Sequence, residues 1–360
     1  MKNLILTFAF LIGLVVCGCG QKTENSEVTT INDSLQMVVT ELLEQKMVEE
    51  GCDKGHVIIM DAKTGALLVK RTVTMTPGDS ASVQYGDEFV RLESSVLRSA
   101  FFLAALETGK VSLDDCVDTG IGIAEFEGTE IKDWNWNRGG YRSISVSRIL
   151  SYSSNIGMCH LAEKAFGSDT LNNWVSALQW VGYDRPISVI GTDECTNDLF
   201  VEQWQDEVPS MYYTCLGYNY TASSLQPLSF INTIANDGYF VNPRLAEGDV
   251  VKDSVMIASA ENIKAMQDLL CQQVNDNLST GYRAHSDKVS ISGLQGIMQC
   301  PRSDQASADE DMTYNVEFAG YFPSENPKYS VYILMRKHGS ATAGATVLPL
   351  ARDIAECMAE

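Results

Sequence analysis

The sequence has little positive charge: 26 Lys and Arg residues stand against 47 Asp and Glu residues, so the formal net charge is −21 at pH 7. Nucleic-acid binding needs clustered Lys and Arg side chains against the phosphates, so this charge argues against a nucleic-acid partner. It also disfavours electrostatic docking on anionic lipid. With 45% hydrophobic and 20% charged residues in 360, the composition is that of a folded protein of one or two domains.

The sequence also lacks the spacings that hold metals. It contains no Cys-x-x-Cys pair, and its four histidines form no His-Glu-x-x-His pattern. Both are common signatures of zinc sites. Of the ten cysteines, eight follow residue 19, which is too few in a chain of this length for a disulfide-dense scaffold. We expect most of them to be small buried hydrophobic residues, and we predict no metal and no other cofactor.

The apolar run at the N-terminus is too short to cross a bilayer. It covers residues 4–16, directly after Lys2, whereas a membrane-spanning helix needs ~20 apolar residues. A positive residue followed by an apolar run of this length is typical of a signal peptide. The chain is therefore expected to be exported.

The end of this run resembles the lipidation signal of bacterial lipoproteins. The sequence reads Val16-Cys17-Gly18-Cys19, and a small residue directly before a cysteine is the feature such signals share. Cys19 is the better candidate for the lipid because Gly18 precedes it, whereas bulky Val16 precedes Cys17. The alternative is a plain secretory signal with two incidental cysteines, which also predicts export. We expect three parts: a lipoprotein signal peptide at residues 1–18, a tether at 19–30 and one domain at 31–360.

Within this domain, strand patterns lie at both ends and the middle is mainly helical. Helices are predicted from Asn32 or Asp33 to Gly51 and at 95–106 and 347–358, with further helical segments between 111 and 273. Strands are predicted at 56–60, 66–69, 288–292, 315–322 and 329–337. This order predicts a composite domain of α/β (α+β) class, whose sheet pairs early strands with late ones. A cleft between the sheet and the helical part is the expected ligand site.

Five segments resemble, in the same order, the transpeptidase domain of high-molecular-weight penicillin-binding proteins, the serine acyltransferases that cross-link peptidoglycan. They are VIIMDAKTG at 57–65, AALETG and SLDD within 104–115, YSSNIG at 152–157, the stretch 217–243, and GYFPSENPKY at 320–329. The resemblance covers the chain from about residue 35 to its end. It implies a β-lactamase/transpeptidase-like fold, with an antiparallel sheet flanked by helices plus a helical subdomain.

The first of the three catalytic motifs of this family, Ser-x-x-Lys, is altered. Counting back from Glu107, the resemblance places the nucleophile at Ser95, at the start of a helix, and Arg98 at the lysine position. A desolvated lysine can lose its proton and act as the base, whereas arginine, with a pKa above ~12, stays protonated. Arg98 can stabilise an oxyanion or alkoxide as a fixed charge, but it cannot accept the Ser95 proton.

The second motif, Ser-x-Asn, is retained as Ser153 and Asn155. The resemblance implies that Ser153 passes the proton to the leaving amine and that Asn155 holds the peptide backbone of the substrate. It also implies an oxyanion hole formed by the backbone N–H groups of Ser95 and Ile297. Such a hole depends on the backbone and can survive the loss of side chains.

The third motif, Lys-Thr-Gly, has lost its side chains. Leu294 and Gln295 stand at the Lys and Thr positions, and Gly296 is retained. Leu294 removes a cation that favours the anionic substrate. Gln295 replaces a hydroxyl that binds the substrate carboxylate, although its amide can still donate a hydrogen bond. Gly296 still allows a ligand backbone to approach the strand closely.

Two hypotheses follow for the function. The first is a degenerate transpeptidase that binds a peptidoglycan stem peptide or a cell-wall synthesis protein and is held at the membrane by its lipid. The second is a working acyltransferase or β-lactam-reactive protein, in which Ser153 or a water replaces the lysine. General-base assistance contributes ~10²–10⁴-fold to rates, and a base, a cation and a carboxylate anchor are missing together, which favours the first. A third hypothesis is that Ser95, Ser153 and Asn155 are polar surface residues without any remaining role.

An aromatic, glycine-rich loop precedes the second motif. It reads DWNWNRGGY at 133–141 and contains Trp134, Trp136 and Tyr141. In the family that the chain resembles, this region borders the cleft, so the aromatic side chains can line a binding groove. The favoured expectation is that they pack the loop onto the helical subdomain.

Overall fold

The computed structural model describes residues 29–76, 79–167, 171–196, 211–300 and 312–359. The predicted signal peptide, Cys19 and the acidic segment 303–311 lie outside these residues. No helix within the described ranges is long and apolar enough to cross a bilayer.

The helices and strands of the described residues are numbered in chain order. The helices are α1 Asp33–Glu50, α2 Leu97–Glu107, α3 Asn155–Phe166, α4 Leu171–Trp180, α5 Met211–Cys215, α6 Leu225–Ala235, α7 Ala260–Asn275 and α8 Val347–Ala359. The long strands are β1 Cys52–Asp61, β2 Leu67–Thr76, β3 Asp79–Gly86, β14 Ser292–Cys300, β15 Thr313–Phe322 and β16 Tyr329–His338. The short strands are β4 Arg91–Glu93, β5 Cys116–Gly120, β6 Ile123–Phe126, β7 Thr129–Lys132, β8 Arg142–Ser145, β9 Ile187–Ser188, β10 Cys195–Thr196, β11 Thr221–Ser223, β12 Tyr239–Val241 and β13 Lys252–Met256.

The six long strands form one antiparallel sheet in the order β14-β15-β16-β1-β2-β3. The first strand of the chain therefore pairs with the last one, as the sequence predicts. The middle of β1 is an unbroken apolar run, Val57 to Met60, because both faces of this strand are covered. Val57 and Ile59 share a core with α1 and α8, and Ile58 and Met60 share a second core with α2 and α6.

Helix α1 begins and ends at the residues that the sequence indicates. The Asn32 side chain accepts a hydrogen bond from the backbone N–H of Leu35 at 3.0 Å, which satisfies a donor of the first turn. Gly51 ends the helix in the left-handed conformation, with φ of +66°, and its N–H bonds back to the last turn. A glycine adopts this conformation without the steric cost of a side chain.

The structure differs from the sequence-based expectation in three places. The strand predicted at 288–292 lies instead at Ser292–Cys300. Val289 and Ile291 are buried, but they belong to a bend and the irregular segment after it, which are not paired in the sheet. Helix α2 begins at Leu97, two residues later than predicted. The region between 111 and 273 is not mainly helical, since it also contains the short strands from β5 to β13. These strands have two to five residues, too few to show a clear alternation in sequence.

Candidate active site

Helix α2 carries the predicted nucleophile at its N-terminal end. Every residue from Leu97 to Leu106 is buried, as expected for a helix that is apolar nearly all round. A turn precedes the helix, in which the N–H of Leu97 bonds to the carbonyl of Ser94 and that of Arg98 to the carbonyl of Ser95. Ser95 thus lies where the helix dipole favours negative charge.

A buried carboxylate, which the sequence analysis did not identify, binds Ser95. Ser95 has 0% of its surface exposed, and its Oγ donates a hydrogen bond of 2.7 Å to Oε1 of Glu317 on β15. The backbone N–H of Ser95 donates to the same oxygen. On the other side, Oε2 of Glu317 accepts from Ser94 Oγ at 2.8 Å and from Tyr332 OH at 2.7 Å. The Glu317 carboxylate therefore receives four hydrogen bonds.

A signal for Glu317 does exist in the sequence. It stands in the part of β15 from Val316 to Phe322, which is otherwise apolar and wholly buried. A buried charge must be paired or hydrogen-bonded, so a carboxylate at an interior position of such a strand predicts buried donors nearby. Tyr332 is one of these donors, and burial together with the Glu317 charge raises the pKa of its hydroxyl well above the ordinary value.

The contact with Glu317 changes what the Ser95 backbone can do. The resemblance implies that the N–H of Ser95 helps to form an oxyanion hole, and this N–H is already bonded to Glu317. The carboxylate therefore occupies a donor that a reacting carbonyl would need. The other expected donor belongs to Ile297, whose side chain is partly exposed on β14.

Gly296 on β14 closes the space in front of Ser95. It pairs with Glu317 across the sheet, and a Cβ atom built on it would overlap Ser95 Oγ. Only glycine fits here, because the Ser95 side chain lies directly against the strand. Ser95 itself, and not a ligand backbone, makes the close approach that this glycine allows. No space for a ligand remains between the Ser95 hydroxyl and the strand.

Arg98 joins the first and second motifs. Its Nη1 donates to Ser153 Oγ at 3.2 Å and its Nη2 to Asn155 Oδ1 at 3.3 Å. The structure thus places Arg98, one turn after Ser95, in contact with Ser153 and Asn155. Arg98 is only 7% exposed, and this burial lowers its pKa. Its Nε is buried without a hydrogen-bond partner.

Asp133 positions the second motif from the aromatic loop. Its buried carboxylate accepts hydrogen bonds from Ser154 Oγ at 3.0 Å and from the N–H of Ile156 at 3.1 Å. Ser154 also caps α3 through the N–H of Gly157. Burial raises the pKa of the Asp133 carboxyl, and these hydrogen bonds oppose the rise. Ser153, directly before this cap, has a φ of +52°.

The third motif lies in the core. Leu294 is buried in the same hydrophobic core as α2, so no cation approaches from its position. Gln295 lies on the opposite face of β14, and its Nε2 donates to Thr280 Oγ1 at 3.1 Å. Gln273 on α7 donates to the same hydroxyl. The Gln295 amide is thus engaged within the protein.

The aromatic loop is more exposed than predicted. Tyr141 packs as expected, stacked on Tyr152 with ring centroids 4.9 Å apart. Trp134 and Trp136, in contrast, are 53% and 45% exposed. The expectation that all three rings pack inward is wrong for the two tryptophans, because the turn at 133–138 buries Asp133 and Asn135 and leaves Trp134 and Trp136 exposed.

Comparison with known proteins agrees with the fold. The family model described as the penicillin binding protein transpeptidase domain matches residues 55–356. Penicillin-binding protein PbpB of Mycolicibacterium smegmatis is 24% identical over 91% of this chain and 53% of its own length. The probable peptidoglycan D,D-transpeptidase PbpC of Pseudomonas aeruginosa is 23% identical over 87% and 54%. The chain thus spans about half the length of these curated relatives.

Solved structures show the same fold. Penicillin binding protein 3 of Mycobacterium tuberculosis, complexed with ampicillin, matches with a TM-score of 0.74 and 20% identity over 92% of this chain and 77% of that one. The apo transpeptidase domain of penicillin-binding protein 3 from Burkholderia pseudomallei matches with a TM-score of 0.72 and 16% identity, over 92% and 95%.

Proposed function

The chain belongs to the penicillin-binding protein transpeptidase family, and from this premise we propose that it is a catalytically degenerate member that binds rather than cross-links peptidoglycan. Its ligand would be a peptidoglycan stem peptide or a protein of cell-wall synthesis. A β-lactam would at most bind without acylating it.

One observation carries this proposal: Glu317 holds both donors of Ser95. A transpeptidase serine needs a base for its hydroxyl proton and free N–H groups for the oxyanion. Here the Ser95 N–H and Oγ both donate to Glu317, and Gly296 lies directly against the hydroxyl. Arg98, at the position of the base, stays protonated. The hydroxyl is neither open to a substrate nor next to a lysine.

The test is acylation by a fluorescent penicillin, with intact mass as the readout. We expect no adduct on the full chain purified in detergent. The control is a variant with restored motifs, Arg98→Lys, Leu294→Lys, Gln295→Thr and Glu317→Ser, which should regain measurable labelling at Ser95. A stable adduct on Ser95 of the unaltered chain would contradict the degenerate function.

A second function has one observation in its favour. The 2.7 Å hydrogen bond from Ser95 Oγ to Glu317 Oε1 is within the range for proton transfer to a general base. In an active acyltransferase with this altered proton path, Glu317 would take the Ser95 proton after β14 had moved away. Acylation of the unaltered chain that disappears in Glu317→Gln would establish this alternative. Loss of labelling in Ser95→Ala but not in Glu317→Gln would exclude Glu317 as the base.

We also propose that the protein is a lipoprotein of the bacterial cell envelope, with residues 1–18 as its signal peptide, 19–30 as a tether and 31–360 as the transpeptidase-like domain. The sequence around Cys19 supports the anchor. In cells given labelled palmitate, the label should enter the unaltered chain and the Cys17→Ser variant but not Cys19→Ser. Equal labelling of both variants would argue against Cys19 as the lipid site.

A further inference from the structure

The two exposed tryptophans lie on a rigid loop that is attached to the second motif. The Trp134 indole N–H donates to Tyr141 OH at 2.7 Å and to the carbonyl of Tyr152 at 3.2 Å. Tyr141 OH donates to the same carbonyl at 2.7 Å. Because its polar edge is held inside, the Trp134 ring presents its apolar surface to solvent. Trp134 and Trp136 are exposed on one short loop, and exposed apolar side chains that are grouped, rather than scattered singly, mark interaction sites.

The loop backbone is held by its own hydrogen bonds. The N–H groups of Trp136 and Arg138 bond to the carbonyls of Asp133 and Asn135 at 3.1 and 2.8 Å. Gly122 lies so close that a Cβ on it would meet the Trp136 Cα at 2.8 Å. The loop is thus pressed against the turn between β5 and β6. A ligand would meet a preformed surface, so little entropy would be lost in ordering the loop on binding.

A cationic side chain lies near each of the two tryptophan rings. The Arg138 guanidinium lies 5.5 Å from the centroid of the Trp134 ring, and the Lys132 ammonium lies 5.3 Å from that of Trp136. Lys132 is paired with Glu130 at 2.7 Å. Among the described residues, Arg138 and Arg142 make no ion pair, and both side chains are exposed.

Two unpaired arginines beside two exposed tryptophans are unusual in a protein with a net charge of −21. Neither the Arg138 nor the Arg142 guanidinium is ion-paired within the described part of the chain, so both can bind an anion. Guanidinium groups bind carboxylates through paired N–H donors. The negative face of an indole attracts the weakly positive C–H groups of a sugar ring in the way it attracts other positive edges.

From this combination we propose that Trp134, Trp136, Arg138 and Arg142 form a binding platform for a carboxylate-bearing saccharide. The sugar rings would stack on the indoles, and their carboxylates would bind the guanidinium groups. In an envelope protein, such a saccharide is a peptidoglycan glycan strand from which the stem peptides have been removed, because only then are the lactyl carboxylates of its muramic acid units free. This choice of ligand rests on the proposed function, and the platform adds a glycan subsite beside the stem-peptide cleft.

The experiment titrates the full chain in detergent with three probes. They are peptide-free peptidoglycan glycan strands with free lactyl carboxylates, a neutral chitin oligosaccharide of equal length, and a stem peptide without sugar. Tryptophan fluorescence and calorimetry measure binding. We expect the acidic glycan to bind roughly tenfold more tightly than the neutral one, a difference that narrows at high salt.

Variants of the loop residues test whether the glycan binds at the platform. Trp134→Ala and Arg138→Gln should each weaken glycan binding by roughly tenfold. The matched controls are Trp180→Ala, which removes an equally exposed tryptophan on α4, and Arg352→Gln on α8. Neither control should change binding.

The outcomes separate this inference from the proposed function. If the stem peptide binds and the glycan does not, the platform is overturned and the proposed function stands. If the glycan binds but loses nothing in Trp134→Ala and Arg138→Gln, the platform is again overturned. If the glycan binds as described while the peptide does not, the platform stands and peptide recognition fails. Binding of none of the probes overturns both the platform and the recognition of stem peptide.

Discussion

The Ser95 pocket and the aromatic loop are neighbours with opposite character. Ser95 is wholly buried and its hydrogen bonds end on a carboxylate of its own chain. The loop that begins at Asp133 is attached to the same second motif, yet Trp134 and Trp136 face solvent with two unpaired arginines beside them. Where the family performs chemistry, this protein is closed, and next to that position it has an open, preformed surface. Under the proposed function, the closed pocket has no catalytic role and the open loop binds the ligand.

The largest expected effect comes from removing the carboxylate that closes the pocket. Glu317→Ala would leave Ser94, Ser95 and Tyr332 with four buried donors unpaired and Arg98 without its nearby anion. We expect a loss of about 3–5 kcal/mol in the free energy of unfolding, measured by urea denaturation. The control Glu125→Ala removes an exposed glutamate on β6 and should change it by less than about 0.5 kcal/mol. Equal effects from both variants would show that the pocket is not held closed by Glu317.

The second-largest effect is expected from a variant that disturbs the contact between β14 and Ser95. Gly296→Ala places a methyl group on the Ser95 hydroxyl, so the strand or α2 must shift. Overpacking of this kind costs about 1–3 kcal/mol, again read from urea denaturation. Gly248→Ala is the control, because a Cβ at Gly248 meets nothing within 4 Å. A Gly296→Ala protein as stable as the unaltered one would mean that Ser95 has room in front of it.

The free energy of unfolding should also depend on pH, through the buried side chain of His56. This histidine is buried between Thr72 Oγ1 at 2.8 Å and Ser224 Oγ at 3.0 Å, and burial lowers its pKa to about 3. Below its unfolded pKa of about 6.5, the unfolded chain gains a proton that the folded chain does not bind. Stability is thus fully present above pH 6.5 and falls as the pH decreases towards 3, by up to about 1.4 kcal/mol per pH unit.

Unfolding in urea at pH 7 and pH 5 checks this dependence. The difference between the two pH values should shrink in His56→Gln and persist in His160→Gln, which removes a partly exposed histidine on α3. An unchanged difference in His56→Gln would mean that His56 titrates freely in the folded protein.

The smallest effect on stability is expected from substitutions in the aromatic loop. Trp134→Ala and Arg138→Gln change exposed side chains, so each should alter the free energy of unfolding by less than about 1 kcal/mol. The expected effects on the free energy of unfolding therefore differ most between these variants and Glu317→Ala. We expect the Ser95 pocket to contribute to stability and the loop to contribute to binding. A loss above about 2 kcal/mol in either loop variant, measured in the same denaturation series, would make the loop a structural element instead.

Much of the fold and part of the site were accessible from the sequence. The cap at Asn32 and the glycine at Gly51 mark α1 because capping depends on a few neighbouring residues. The motif order placed Ser95, Arg98 and the second motif in one cleft, and the structure brings them together. The start of β14 was predicted too early, because buried apolar residues such as Ile291 read as a strand whether or not they are paired.

Glu317 illustrates what local patterns do not contain. It lies 222 residues from Ser95 along the chain, and nothing near either residue indicates that they meet. Their contact depends on the pairing of β15 with β14, which places Glu317 opposite Gly296, and on the packing of α2 against that sheet. The exposure of Trp134 and Trp136 depends in the same way on how the loop is attached to Tyr152.

The sequence by itself determined the family resemblance, the order of the secondary structure and the presence of Arg98 and Leu294 in place of lysine, since these are properties of residue identity and short-range spacing. Only the tertiary structure decided the surroundings of Ser95. Strand register and helix packing bring distant residues within hydrogen-bonding distance, and they placed a carboxylate on both donors of Ser95 while leaving the adjacent tryptophans open to solvent.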